Sequence, residues 1–356
     1  AGMDAPSSAA DSRRPTMNRI ATLPADERGT YFEEGAWRLR ISAPIVEKDF
    51  WVCWLLGLIF STPELGGSAV FKGGTSLSKV FGVINRFSED VDLGLSPESL
   101  GYPESEIDEA PTKTARAKRA GALLAACAQK VETEFLPLLE KLVFGQLGGK
   151  TGGRPWLRYE LEEASHSPVI HFDYPTTLPN PLPYIRTAVK IEFGSLTDQR
   201  PTGTHRIVPL VAELAPEAFA DFQAEVVALE VERTFWEKAT ILHAEFHRPA
   251  DKPQPPRYAR HFSDFAALWR HPSGRIAAKR IDLLERVRLH KSRYFTSSWA
   301  HYESAVPGTL RLRPPEFRMA ELRRDYLAMR PMFLGDPISF EDMMAVLDEA
   351  EKTLNA

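Results

Sequence analysis

Two cysteines in 356 residues, Cys53 and Cys127, are too few for a disulfide framework, and they stand outside any Cys-x-x-Cys spacing. They read as buried apolar thiols in a reducing cytoplasm. Long apolar runs are missing too. The longest, Phe50 to Phe60, covers about half of the ~20 residues that a membrane-spanning helix needs, and Asp49 adjoins it. This makes it a core helix and argues against a membrane span. Charge of one sign is also scarce: Lys and Arg number 44 against 48 Asp and Glu, a net charge of −4, which gives no general attraction to nucleic acid. No basic segment leads into an apolar one near residue 1, and residues 1–16, rich in Ser, Ala and Pro, read as a floppy tail outside the fold. No internal repeat has a fixed period. With 43% hydrophobic and 26% charged residues, the length suits one large or two ordinary domains.

Against this background the front half carries strand signals. Pro44, Glu47, Lys48 and Asp49 open a helix over 44–60 that becomes apolar. Ala69-Val70-Phe71 reads as a strand, and Lys72-Gly73-Gly74-Thr75-Ser76 as a tight turn into a new helix that Thr75 or Ser76 can cap. Leu77, Val80, Phe81 and Ile84 continue it as one apolar stripe. From Phe87 to Leu95 the sequence alternates, with Phe87, Val91, Leu93 and Leu95 on one face and Ser88, Asp90 and Asp92 on the other. Residues 97–120 suggest an exposed insertion leading into a helix around 123–139, and 145–153 a glycine-rich loop. Ala188 to Gly194 alternates again, with Lys190 and Glu192 on one side. Residues 198–205 read as a connector and 226–231 as a further strand. From Thr234 onward the pattern is helical, interrupted by Pro-rich loops at 249–256 and 305–315. Strands in front and helices behind predict an α+β fold: residues 17–232 as a catalytic domain with a mixed sheet and flanking helices, and 233–356 as a helical domain.

The chemistry concentrates at Asp90 and Asp92. Alternate strand residues point the same way with Cα atoms about 6.6 Å apart, so the two carboxylates can converge on divalent metal. Two ions about 3.5–4 Å apart would stabilise attacking and leaving oxygens in a phosphoryl displacement. Mg²⁺ suits such a site because it accepts a few carboxylates and completes its shell with water and phosphate oxygens. A lone Asp-x-Asp is weak in a chain with 48 acids. Here it follows a strand–Gly-Gly–helix unit whose first turn offers backbone N–H groups to an anion. The missing GxxxxGK[ST] spacing rules out a Walker A loop.

Glu192 reads either as a third carboxylate for the metal or as a plain surface partner of Lys190. In Thr234-Phe235-Trp236-Glu237-Lys238, a T-x-x-E capping box accounts for Glu237. Lys238 then falls in the first turn, where the helix dipole disfavours a cation; an anion partner such as a nucleotide phosphate and a side chain snorkelling to water are both open. His243-Ala244-Glu245-Phe246-His247 has its glutamate in the wrong place for a zinc protease. Seven Lys or Arg lie between Arg275 and Arg293, with Tyr294, Phe295 and Trp299 beyond: an RNA-facing strip or a solvated helix face.

Three blocks, Phe71-Lys72-Gly73-Gly74-Thr75-Ser76-Leu77-Ser78-Lys79, Arg86-Phe87-Ser88-Glu89-Asp90-Val91-Asp92-Leu93 and Glu232-Arg233-Thr234-Phe235-Trp236-Glu237-Lys238-Ala239, together resemble the AbiEii/AbiGii nucleotidyltransferase toxin family. The resemblance runs from about Glu47 to Leu268. It implies a DNA-polymerase-beta-like fold, with Gly74 and Ser76 in the nucleotide-gripping motif, Asp90 and Asp92 in the metal motif, and Lys238 as the basic motif residue. Asp264 matches the acid of the fourth motif, although Arg260-His261 stands where the family usually has Arg-Asp; its plain reading is a helix-start residue.

The expectation is therefore a cytoplasmic, Mg²⁺-dependent nucleotidyltransferase taking an NTP as donor. Lys72, Gly73, Gly74, Thr75, Ser76, Lys79 and Lys238 would grip the nucleotide. Asp90, Asp92 and Glu192 would hold the metal. Asp90, Asp92, Lys238 and Asp264 would serve the chemistry. The resemblance implies an RNA acceptor, the tRNA 3′ end, and a cognate antitoxin in a toxin–antitoxin or phage-defence pair. Transfer to a protein or small-molecule hydroxyl, and an NTP-binding regulator without turnover, are the alternatives.

Overall fold

The computed structural model describes residues 16–103, 112–163, 165–178, 186–196, 198–213, 222–295 and 297–356. The expected tail therefore lies, Thr16 apart, outside the described residues, as do 104–111 of the expected insertion. Thr16 caps the first helix, accepting from the Arg19 N–H.

Among the described residues, seven strands form one mixed sheet in the order β3-β4-β5-β2-β1-β7-β6. They are β1 (Ala69–Lys72), β2 (Asp90–Leu95), β3 (Leu157–Leu161), β4 (Pro168–Phe172), β5 (Val189–Gly194), β6 (Thr202–Ile207) and β7 (Ala224–Leu229). The helices of this half are α1 (Met17–Thr22), α2 (Ala25–Leu39), α3 (Ala43–Phe60), α4 (Pro63–Gly66), α5 (Gly73–Lys79), α6 (Lys113–Lys130), α7 (Leu136–Leu147) and α8 (Leu210–Glu213). The long apolar run is α3, buried nearly all round and packed on β7 and α2. Trp51 and Trp54 meet edge-on at 5.4 Å in a core that Phe172 and Phe193 share. The α+β fold with a mixed sheet is as expected.

The second half holds α9 (Val231–Phe246), α10 (Ala259–Arg270), α11 (Pro272–Ala277), α12 (Ile281–Tyr294), α13 (Met319–Ala328) and α14 (Phe340–Leu354). Phe235, Trp236, Phe265 and Trp269 centre a separate hydrophobic core. Leu77, Val83 and Ile84 belong to this second core, although β1 and β2 flank them in the chain. The crossing is fastened by backbone bonds from the Phe87 N–H to the Met332 carbonyl, 2.6 Å, and from the Leu334 N–H to the Asn85 carbonyl, 3.1 Å.

Four local expectations are corrected. Residues 202–207 are an edge strand, not a connector: Pro201 stands just outside the ladder, and Gly203 has no side chain to collide with the Glu230 carboxylate lying over it. Helix α9 begins at Val231 after Glu230, so Thr234 is not its cap and Lys238 lies in the third turn. Helix α5 begins at Gly73, ahead of both Thr75 and Ser76, and ends at Lys79, short of the expected stripe. The 145–153 loop starts only after Leu147, where α7 ends. Helices α1 and α2 and strands β3 and β4 went unassigned, although Leu157, Tyr159 and Leu161 alternate with Arg158 and Glu160. Among the described residues no helix is long and apolar enough to cross a membrane. Cys53 and Cys127 are buried and unpaired, as expected.

Candidate active site

Three strands align the acidic group. In the β1–β2 ladder Lys72 pairs with Asp92, and in the parallel β2–β5 ladder Asp90 pairs with Lys190 and Asp92 with Glu192. Residues opposed in register share a face, so Asp90, Asp92 and Glu192 look out from one side of adjacent strands. Lys190 donates to Glu192 at 2.9 Å, so the surface-pair reading of Glu192 holds alongside its place next to Asp92. Among the described residues no three His, Cys, Asp or Glu side chains are gathered as a finished cage for an ion.

The glycine turn folds directly onto this group. Gly73 has φ +81°, and a Cβ there would stand 2.0 Å from Asp92 Oδ2. Only glycine permits both the backbone conformation and the approach. A Cβ on Gly74 would stand 2.8 Å from Arg86 Nη2 and 2.9 Å from Ser88 Oγ. The Thr75 hydroxyl donates to the Asp90 backbone carbonyl and the Ser76 hydroxyl to the Gly73 carbonyl at 2.9 Å, which ties turn and strand together.

Electrostatically the acids are under strain. Burial pushes Asp92 up to about 6; Lys72 opposes the shift, and Glu192 and Asp90 add to it. The surrounding protein and then Glu89 raise Asp90, against Lys190 and Lys48. Three carboxylates gathered on one face, oxygen donors alone, fit a hard divalent cation such as Mg²⁺. Cations crowd the same rim: Lys48, itself depressed by burial, pairs with Glu89 at 2.6 Å, and the fields of Arg86 and Arg260 reach Asp92.

Lys238 and Asp264 come together, but with each other. Asp264 accepts from Arg86 Nε at 2.7 Å, Arg86 Nη2 at 2.8 Å and Lys238 Nζ at 2.7 Å, all buried. The anion that Lys238 meets is thus a carboxylate of the protein, and Asp264, in the second turn of α10, is not a helix-start residue. Burial would raise Asp264, yet Arg86 and Lys238 hold it well below the usual carboxylate range. It is too weak a base to take a proton. Burial, helped by Arg86 and Arg260, lowers Lys238 against the pull of Asp264. His261 Nδ1 stands 3.2 Å from Lys238 Nζ, and burial and that cation keep the imidazole neutral.

Lys79 is turned elsewhere. Its Nζ lies 2.8 Å from Asp49 with both side chains buried, so its charge is met inside the protein and not at the glycine turn. Most of the 275–293 charge is also met locally: Arg275 by Glu349, Arg280 by Asp282, Arg286 by Asp198 and Arg288 by Glu285. Trp299 lies under the Arg248 guanidinium at 4.4 Å. His243 accepts the Arg311 N–H at 3.0 Å and sits against the His301 carbonyl; burial depresses it to about 4, a structural imidazole.

Sequence reasoning missed Arg86, Lys48 and His261. Arg86 had a signal, a lone cation in the otherwise uncharged stretch Val83-Ile84-Asn85-Arg86-Phe87. Nothing local singled out Lys48 or His261, whose partners are 41 and 23 residues away.

The family described as nucleotidyl transferase AbiEii toxin, type IV toxin–antitoxin system, matches residues 54–348. No curated protein matches the sequence. Seven solved chains match its fold. One is MenT4, a nucleotidyltransferase toxin from Mycobacterium tuberculosis H37Rv, with 16% identity, a TM-score of 0.48, and coverage of 91% of this chain and 89% of that one.

Proposed function

Because this chain belongs to the AbiEii family of nucleotidyltransferase toxins of type IV toxin–antitoxin systems, we propose that it moves a nucleoside monophosphate from an NTP to the 3′ hydroxyl of an RNA, a tRNA in the first instance. The observation that supports this reading is the packing of Gly73, at the start of α5, against the Asp92 carboxylate, so that glycine backbone lies beside the strand aspartates.

Asp90 and Asp92, with Glu192 beside them, would hold Mg²⁺; when bound, it screens the charge of the triphosphate and of the leaving group. The protein does the rest. The first turn of α5, Gly73–Ser76, carries the triphosphate, and Lys72 balances its charge. The acceptor oxygen forms its bond to the α-phosphorus as the bond to the bridging oxygen breaks, and pyrophosphate departs. One of the strand carboxylates, Asp90 or Asp92, would take the acceptor's proton. Lys238, Arg86 and Asp264 form a buried positioning cluster, holding the guanidinium that backs Gly74.

The acceptor, a cytoplasmic setting, a phage-defence role and an antitoxin encoded alongside belong to the same reading. Incubation with each labelled NTP and separate tRNA, protein and metabolite fractions tests it. Label should enter the tRNA fraction and vanish with Asp92→Asn; undiminished transfer by that variant would refute the assignment. Label in another fraction would move the acceptor to a protein or small molecule.

A further inference from the structure

A cavity of about 320 Å³ opens at the other end of the central strands, beyond Gly94 and Gly194, between the sheet, α6 and α12. Neither Asp90 nor Asp92 lines it. Its volume is in the range of small-ligand sites.

Its polar equipment is of an uncommon kind. The Gln199 carboxamide, nitrogen and oxygen alike, is buried with no hydrogen-bond partner. It lies flat on β2 because residue 94 is glycine: a Cβ there would stand 2.9 Å from Gln199 Nε2. Buried amide groups are rarely left unmade, since each forfeits its hydration. Beside it Ser195, 2% exposed, has a hydroxyl without oxygen or nitrogen partner, next to the Cys127 thiol. Opposite stand the rings of His290 and Tyr294, 4.9 Å apart, while Leu123 and Leu289 supply apolar lining. Asp198 is taken by Arg233 and Arg286, and Glu98, Arg200 and Arg293 also line the cavity.

A carboxamide with donor and acceptor side by side is complementary to a planar edge that offers acceptor and donor side by side. Aromatic rings and leucines accept the faces of such a plane. We infer that this cavity is a second ligand site, separate from the glycine turn, that takes a nucleobase, with Gln199 reading its hydrogen-bonding edge. The base could belong to a free nucleoside or nucleotide or to an unpaired residue of an RNA.

Nucleosides lack the phosphates on which the proposed catalytic centre depends, so they separate the two sites. The experiment is equilibrium binding of adenosine, guanosine, cytidine and uridine, and of a short single-stranded RNA, to the full chain and three variants. At least one nucleoside or the RNA should bind at one per chain, keep its affinity in Asp92→Asn, and lose roughly tenfold or more in Gln199→Leu. Leu289→Trp, which fills the cavity from its rim, should abolish binding with the melting temperature retained, guarding against a Gln199 variant that fails to fold. Nucleoside binding assigns the site to a free metabolite; Gln199-dependent binding of the RNA alone assigns it to an RNA base. Absence of binding by all of these, or binding lost in Asp92→Asn but kept in Gln199→Leu, overturns the inference, and neither result bears on nucleotidyl transfer.

Discussion

Arg86 and Asp264 meet through a two-pronged ion pair, 2.7 and 2.8 Å, in which both side chains are buried although 178 residues separate them. Lys238 completes the set on the same carboxylate. Removing the acid strands two cations without water. Asp264→Asn should therefore cost about 3–5 kcal/mol in denaturant unfolding, whereas a surface acid such as Asp336, 98% exposed in its side chain, should cost under about 1 kcal/mol when changed to Asn. Equal losses would mean that the cluster holds nothing together.

Asp92 sets a pH dependence of known sign. Its folded pKa of about 6 stands above the ordinary 3.8, so folding disfavours the charged form. The stability that protonated Asp92 retains is fully present below about pH 4 and is lost as pH rises through about 6. In chelator-treated protein, Asp92→Asn should be more stable than wild type at pH 7, by up to about 3 kcal/mol, and indistinguishable at pH 4.

Divalent metal should reverse that penalty. Millimolar Mg²⁺ is expected to raise the melting temperature of wild type at pH 7, because it binds only the folded carboxylates. Asp92→Asn should shed most of the increment, and Lys79→Met should keep it. An equal shift in all three proteins would place the ion elsewhere.

Gly73 and Gly82 offer a matched comparison. Both have positive φ, +81° and +61°, but a Cβ meets Asp92 at the first and nothing within 4 Å at the second. Gly82→Ala should cost about 1 kcal/mol with transfer intact. Gly73→Ala should move the Asp92 carboxylate and lower transfer by roughly 10²-fold, the scale of an ångström-sized misplacement at a reacting centre.

Lys79 should behave as a structural residue. Lys79→Met leaves Asp49 buried without its cation, although the Leu210 N–H still reaches that carboxylate, and is expected to lower stability by about 3 kcal/mol. The KM for NTP should stay where it was. A selective rise in KM would return Lys79 to the nucleotide.

What was legible in the sequence was local. The period-two runs at 87–95 and 188–194 and the apolar run of α3 each carry their geometry in neighbouring residues, and they became strands at 90–95 and 189–194 and a buried helix, while the double glycine opened α5 itself instead of a turn ahead of it. Register between strands was not legible, so the pairing of Asp92 with Glu192 and of Asp90 with Lys190 emerged only from the sheet. The partner of Lys238 was equally hidden. An unusual cation on an apolar helix says that an anion is near, without saying whether it belongs to a ligand or to residue 264 of the same chain. Helix starts failed where a good capping residue, Thr234, sat one turn inside the true beginning at Val231.

The segment between the glycine bend and the aspartate strand is held by the far half of the chain, through Leu77, Val83 and Ile84 and the bonds to Met332 and Leu334. Cutting the gene near codon 232 would accordingly not yield an independent catalytic fragment: the hinge that seats Gly73 would lose its anvil. A break in the surface loop 148–155, where the peptide joins α7 to β3, would leave Asn85 and Phe87 on one piece and Met332 and Leu334 on the other, so split-protein complementation there would depend on re-forming this fastening.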